Sequence, residues 1–284
     1  MQAPPEELAT LLRQRYGMPT PDCWAALPGG QTNRSWRVVV AGSAWVVKLF
    51  AGDTGNPLFP NDARDEARML RLLSPTGLAP ELIDEVVTSC GPCLIYRHVE
   101  GTAWHEDPAT AAKALAELHR QDPPEGLRRL EPGSDRLTTQ TEAIIARLPD
   151  RDRNNLLALL PEGSAASEGP TVLLHGDPVP GNMIVERSRV TLIDWQCPAI
   201  GDPVEDLSIF MSPAMQLIYR GRPLSKAEKT AFIDAYGDPD IRGRIEHLAP
   251  WHHWRMAAYC TWKVLQGQQE YKAAGELEIA ALTA

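Results

Sequence analysis

Apolar and charged positions alternate at helical spacing over residues 5–16, and Pro4 and Pro5 suit the first turn of an amphipathic helix there. The pattern then shortens to that of strands. Trp36–Val40 and Ala44–Phe50 are rich in β-branched and aromatic residues, with Ala41-Gly42-Ser43 between them as a tight turn. A helix over about Asn61–Leu73 puts Ala63, Ala67, Leu70 and Leu73 on one face. Strands Glu81–Thr88 and Pro92–Val99 follow and end at Glu100-Gly101.

Beyond Gly101 the pattern is mostly helical. Pro108–Arg120 carries Ala111, Leu115 and Leu118 at core spacing, and Leu137–Leu160 reads as one or two helices. After a polar loop at Glu162–Pro170 come short strands at Val172–Leu174, Met183–Val185 and Val190–Ile193, and helices dominate from about Val204. No repeat or low-complexity tract interrupts the chain. This order predicts an α+β, bilobed chain. A small strand-rich N-terminal lobe spans 1–98, a larger helical C-terminal lobe spans 99–284, and the boundary lies at Arg97–Gly101.

Candidate chemistry concentrates in TVLLHGDPVPGNMIVERSRVTLIDWQCPAIGDPVEDLS. An apolar strand delivers His175-Gly176-Asp177 into a loop with two prolines and a glycine. Asn182 follows Asp177 by five positions (182 − 177 = 5), and a second strand delivers Asp194 at its end. Phosphoryl transfer requires a carboxylate to orient and deprotonate the attacking hydroxyl, and hard oxygen ligands to hold magnesium against nucleotide phosphates. Asp177 supplies the first, and Asn182 and Asp194 the second, at the Asp-x-x-x-x-Asn spacing of a kinase catalytic loop.

HGDPVPGNMI…LIDWQCPAIGDPVEDLS resembles the signature of the aminoglycoside phosphotransferase and choline kinase-like family, in order over residues 173–207. The resemblance implies a protein-kinase-like fold, ATP and Mg²⁺ as cofactors, and Asp206 bracing the catalytic loop by accepting backbone hydrogen bonds. The N-terminal half fits the same plan. Leu27-Pro-Gly-Gly-Gln-Thr-Asn-Arg-Ser-Trp-Arg resembles the family's nucleotide loop, which assigns Gly29, Gly30, Thr32 and Asn33 to the cofactor; glycines there let backbone amides approach phosphates. Lys48, polar inside a β-branched run, is the expected phosphate-binding lysine. Glu66 on the next helix is its expected partner, with Asp62 and Asp65 as rivals, and Arg97–Glu100 is the hinge that reads the adenine. His119 reads as structural, and adjacent His252 and His253 cannot point to one metal from a helix.

Composition narrows the partners. The 284 residues are 43% hydrophobic and 23% charged, with a net charge of −9 and a pI near 5.3, which argues against a nucleic-acid surface. No apolar run approaches the roughly 20 residues that span a bilayer, and the acidic N-terminus lacks signal-peptide character, so a cytoplasmic protein is expected. Five cysteines are an odd number for a disulfide framework. Cys90-Gly-Pro-Cys93 has redox-motif spacing, but it lies between two strand-like runs and reads as a hairpin turn.

Only Trp195–Ile200 separates Asp194 from Gly201-Asp202-Pro203, too short for the peptide platform of a protein kinase. A small hydroxylated metabolite is therefore the expected partner: an amino alcohol such as choline or ethanolamine, with thiamine, an aminoglycoside or a sugar as alternatives. Trp251, Trp254, Tyr259 and Trp262 suit a cation–π site for an amine. Trp251, Trp254, Ala258 and Trp262 equally suit a core-facing helical stripe, and Arg255 beside them suits an anionic or sugar-like acceptor. A catalytically idle kinase-like module is disfavoured, because Lys48, Asp177, Asn182 and Asp194 are all present.

Overall fold

The computed structural model describes residues 3–27, 32–52, 55–165 and 169–284. The chain divides into two units, one comprising Met1–Thr102, Ile184–Arg187 and Thr191–Cys197, the other Ala103–Met183, Ser188–Val190 and Pro198–Ala284. Where lobes over 1–98 and 99–284 were expected, the first unit runs on to Thr102 and also takes in two later segments. The returning segment that carries Asp194 belongs to the first unit, because the Leu192 N–H donates to the Leu78 carbonyl (2.8 Å) and the Asp62 N–H to the Gln196 carbonyl (3.0 Å). Local pattern does not encode such long-range bonds.

In the first unit, α1 (Glu6–Tyr16) is followed by β1 (Ala25–Ala26), β2 (Arg34–Val40), β3 (Ser43–Leu49), α2 (Ala63–Leu73), β4 (Leu82–Thr88) and β5 (Gly91–Arg97). The strands form an antiparallel sheet in the order β1-β2-β3-β5-β4. Ala41 and Gly42 between β2 and β3 both have positive φ (49° and 80°), as the tight turns matched to strand twist require. Alternate residues Trp36, Val38, Val40, Val47 and Leu49 pack with Leu8 and Leu12 of α1 and with Cys93 and Ile95 of β5. The Asp62 side chain caps α2 by accepting from the Arg64 and Asp65 N–H groups (2.8 and 3.1 Å). One face of α2 buries Ala67, Met69, Leu70 and Leu73 together with Glu66, a charged residue that therefore needs a partner.

The chain passes between the units along β6 (Thr102–Ala103). The second unit holds α3 (Pro108–Leu118), α4 (Ser134–Ile145), α5 (Asp150–Leu157) and β7 (Val172–Leu174). Strands β8 (Met183–Glu186) and β9 (Arg189–Leu192) follow in the chain, their residues divided between the units, and β10 (Ala199–Gly201) of the second unit pairs antiparallel with β7. Helices α6 (Val204–Met211), α7 (Pro213–Arg220), α8 (Lys226–Tyr236), α9 (Ile241–Leu265) and α10 (Tyr271–Leu282) complete the unit. Trp254 of α9 is fully buried among Ile144, Ile145, Leu148, Leu156, Ala257 and Ala258, and its indole N–H donates to the Leu156 carbonyl (2.7 Å). Trp104, Phe210 and Phe232 form a second aromatic cluster with centroids 4.9 and 4.5 Å apart. Among the described residues no helix is long and apolar enough to cross a membrane.

Candidate active site

Strand β7 ends at Leu174, and the next three residues are pinned by one buried carboxylate. Asp206, on the first turn of α6, is fully buried and accepts from the His175 N–H (2.8 Å), the Gly176 N–H (2.9 Å) and His119 Nε2 (3.1 Å). Gly176 has φ +85°, a conformation open to glycine, which turns the chain so that Asp177 follows directly. The Asp177 N–H donates to His175 Nδ1 (3.3 Å), and the Asp177 carbonyl accepts from the Val179 N–H and the Asn182 side-chain amide, both at 2.9 Å. Asp177 and Asn182 thus sit on one short loop fixed by its own hydrogen bonds. His119, Nε2 on Asp206 and Nδ1 on the Tyr236 hydroxyl (2.9 Å), is structural as read.

In the first unit, Lys48 projects from β3 into a site where it is 3% exposed. Its ammonium pairs with Glu66 of α2 and with Asp194, while the Asp62 side chain caps α2. Burial alone would pull the Lys48 pKa down, but Asp194 and Glu66 outweigh it and hold the ammonium well above the ordinary lysine value. Burial pushes the Glu66 carboxyl up to about 7 against the opposing pull of Lys48, and its Oε1 has no hydrogen-bond partner. Asp194 adopts φ +64°, a strained backbone state for a residue with a side chain, while 30% of its side chain stays exposed.

This arrangement fixes a pH dependence. A carboxyl whose pKa is raised by folding favours the folded state when protonated, so that contribution is complete below about 4.5 and lost as pH rises through about 7. Lys48→Ala removes the cation that opposes the shift. The variant is expected to lose more stability at pH 8, where the buried Glu66 without its partner must either carry its charge or take up a proton, than at pH 5.5, where it is protonated. Thermal melts at both pH values check this; a loss independent of pH would show that Glu66 is not the group responsible.

The remaining nucleotide-loop residues divide. Gly29 and Gly30 lie outside the described residues, and Thr32 is half-buried in the bend before β2. Asn33 is buried, and its amide is committed to protein: Nδ2 donates to Asn61 Oδ1 (2.8 Å) and Gln196 Oε1 (3.0 Å), while Oδ1 accepts from the Ala51 N–H (3.1 Å) and Asn61 Nδ2 (2.9 Å). Its side chain braces the segment two residues beyond Asp194. Sequence reasoning missed Asn61 and Gln196; the position of Gln196 just after Asp194 was the only signal.

Asn182, in the second unit, and Asp194, in the first, each carry an oxygen of the kind magnesium takes. With Nδ2 of Asn182 on the Asp177 carbonyl, Oδ1 is the atom left to act as a ligand, and Asp194 adds an exposed carboxylate. Among the described residues no three His, Cys, Asp or Glu side chains gather to hold a metal ion. Magnesium in phosphoryl-transfer sites does not need such a cage, because substrate phosphates and water complete its shell.

Several expected residues serve the core. Arg255 is 2% exposed and its guanidinium pairs with Glu205 (2.9 Å) and Gln140 (3.0 Å). His252 Nδ1 faces Arg255 (3.0 Å) and His253 Nδ1 faces Glu278 (2.6 Å), different partners for the adjacent pair. Trp262 packs against the Trp254 cluster and stacks on Tyr259. The Cys93 thiol is fully buried in β5, and burial pushes its pKa up to about 12, the reverse of a redox-active cysteine.

The model of the phosphotransferase enzyme family matches residues 24–248. No curated protein matches. Solved structures do: a choline/ethanolamine kinase family protein from Mesorhizobium loti is 18% identical, with 92% of this chain and 86% of that one covered and a TM-score of 0.64. Choline kinase LicA from Streptococcus pneumoniae is 17% identical over 97% and 99% of the two chains, with a TM-score of 0.64. A spectinomycin phosphotransferase in complex with ADP and spectinomycin is 17% identical over 99% and 98%, with a TM-score of 0.61. The fold is the kinase-like fold of these enzymes, and the chain belongs to the phosphotransferase enzyme family.

Proposed function

We propose that the protein transfers the γ-phosphoryl group of ATP to a hydroxyl of a small metabolite. The acceptor oxygen forms a bond to the γ-phosphorus, and the bond from that phosphorus to the β–γ bridging oxygen breaks with its electrons to ADP. The hydroxyl proton passes to Asp177. Lys48, aimed by Glu66, binds the nucleotide phosphates, and Asn182 and Asp194 hold Mg²⁺. Bound magnesium supplies charge neutralisation of the phosphate oxygens. The observation that carries this reading is the buried Lys48 ammonium held between a fully buried Glu66 and a partly exposed Asp194. A cytoplasmic location accords with ATP use and with an odd number of cysteines, which no full set of disulfides accounts for.

The test is magnesium-dependent formation of ADP and phosphorylated product. Asn182→Ala and Asp194→Ala are each expected to raise the magnesium concentration for half-maximal rate. Asp194→Ala should do so further, since it removes a formal charge. An unchanged magnesium titration in both variants would remove the ligand assignment.

For the acceptor, choline or ethanolamine is the reading supported by the names of two neighbours. The aromatic residues expected to hold its ammonium support it less: Trp254 is core, Trp262 packs on that core, and the Tyr259 face is covered by Lys263.

A further inference from the structure

We infer that the second unit holds a further binding site, built from none of the catalytic-loop residues, for a small apolar molecule with a carboxylate head. The inference stands apart from the kinase reading. Residues of α6, α8 and α9 line a cavity of about 260 Å³. Its apolar wall is Ile209 and Met211 of α6, Ile233 of α8, and Ile245 and Met256 of α9. Lys226, Thr230 and Glu246 of the same lining are exposed, so the cavity opens to solvent. A roughly 150 Å³ apolar cavity takes up benzene, so this one has room for a molecule of about ten non-hydrogen atoms.

His252 of α9 also lines the cavity and is 6% exposed. Burial pulls its imidazole down to about 3 against the opposing pull of Glu205, so the ring is neutral at physiological pH. A guanidinium has donors only, so the Arg255 contact to Nδ1 (3.0 Å) makes Nδ1 the acceptor and puts the proton on Nε2. That Nε2–H has no acceptor among the described residues, and neither has the Arg255 Nε–H one turn on. These two are the buried side-chain polar atoms of the lining that lack a partner, and both are donors. A buried donor without an acceptor is destabilising, and a ligand oxygen removes the penalty. The charges agree. Glu278 is held by Ser212, the Ala214 N–H (3.1 Å) and His253 (2.6 Å). On α8, Glu228 goes to Arg220 and Arg222, and Asp234 to Arg242. Lys226 and Lys229, one turn apart in the lining, are left without an ion pair among the described residues, and they outnumber the exposed Glu246. An ammonium head would meet like charge and buried donors, whereas a carboxylate satisfies both.

The experiment measures binding by calorimetry and thermal melts on the full chain, without nucleotide, using octanoate, 1-octanol and octylamine. Octanoate is expected to bind about tenfold or more tightly than 1-octanol, with octylamine weakest, and to raise the melting temperature. Ile233→Trp fills the cavity from α8 and should abolish octanoate binding while the chain still folds. His252→Phe keeps a ring of similar size but removes the Nε2–H. It should weaken octanoate about tenfold or more and leave 1-octanol within about twofold of wild type. Equal affinity for octanoate and 1-octanol overturns the inference, as does a preference for octylamine or no binding at all. So does octanoate binding that is unchanged in Ile233→Trp or in His252→Phe. Should a variant fail to fold, the ranking of the three ligands by the wild type decides.

Discussion

Replacing Asp177 by Asn is expected to lower the rate of phosphoryl transfer by about 10²–10⁴-fold, the usual contribution of a positioned general base. Affinity for nucleotide should stay near wild type. The side chains are isosteric, but an amide cannot take the hydroxyl proton. The bonds that shape the loop run through the backbone of Asp177: its N–H to His175 Nδ1 and its carbonyl from the Val179 N–H and the Asn182 amide. Those bonds survive the substitution, so the loss should appear in turnover and not in folding. Single-turnover transfer and nucleotide titration calorimetry separate the two quantities. Turnover close to wild type would remove Asp177 as the base.

Much of this was legible in the sequence because it is local. Runs of β-branched and aromatic residues mark β2 and β3, and Lys48 stands out as a polar residue inside such a run. The Asp177 loop carries its own spacing. Legibility ended where residues far apart in sequence meet. The helical stripe of Trp251, Trp254, Ala258 and Trp262 says which side of α9 faces inward, but not whether that side meets core or ligand. Trp254 meets Ile144 and Leu156, more than ninety positions earlier. Asn33 lies in a segment that looks like a nucleotide loop, yet its amide is committed to Asn61 and Gln196, the second 163 positions away. Arg255 looked available because Glu205, its partner, lies on α6, fifty positions earlier.

Asp206→Ala is expected to damage folding and catalysis together. The carboxylate is fully buried and serves three donors: Oδ2 takes the His175 N–H and His119 Nε2, and Oδ1 takes the Gly176 N–H. Alanine leaves all three inside the protein without an acceptor, each at a cost of about 1–3 kcal/mol. Shared relaxation makes the sum less than additive, so about 3–5 kcal/mol is expected. That is a large part of the 5–15 kcal/mol by which folded domains typically exceed their unfolded states, and corresponds to a melting-temperature loss on the order of 10 °C. His119 would also lose one of its two anchors and keep only Tyr236. Because His175 and Gly176 immediately precede Asp177, the base loses its fixed position, and turnover should fall even at temperatures where the variant is folded. Asp206→Asn keeps one carbonyl oxygen but turns an amide donor toward a donor, so it should fall between wild type and Asp206→Ala. Thermal melts with turnover measured well below each midpoint distinguish this pattern from Asp177→Asn, which should lose rate without stability. A variant that melts like wild type and turns over normally would show that the loop is held by other means.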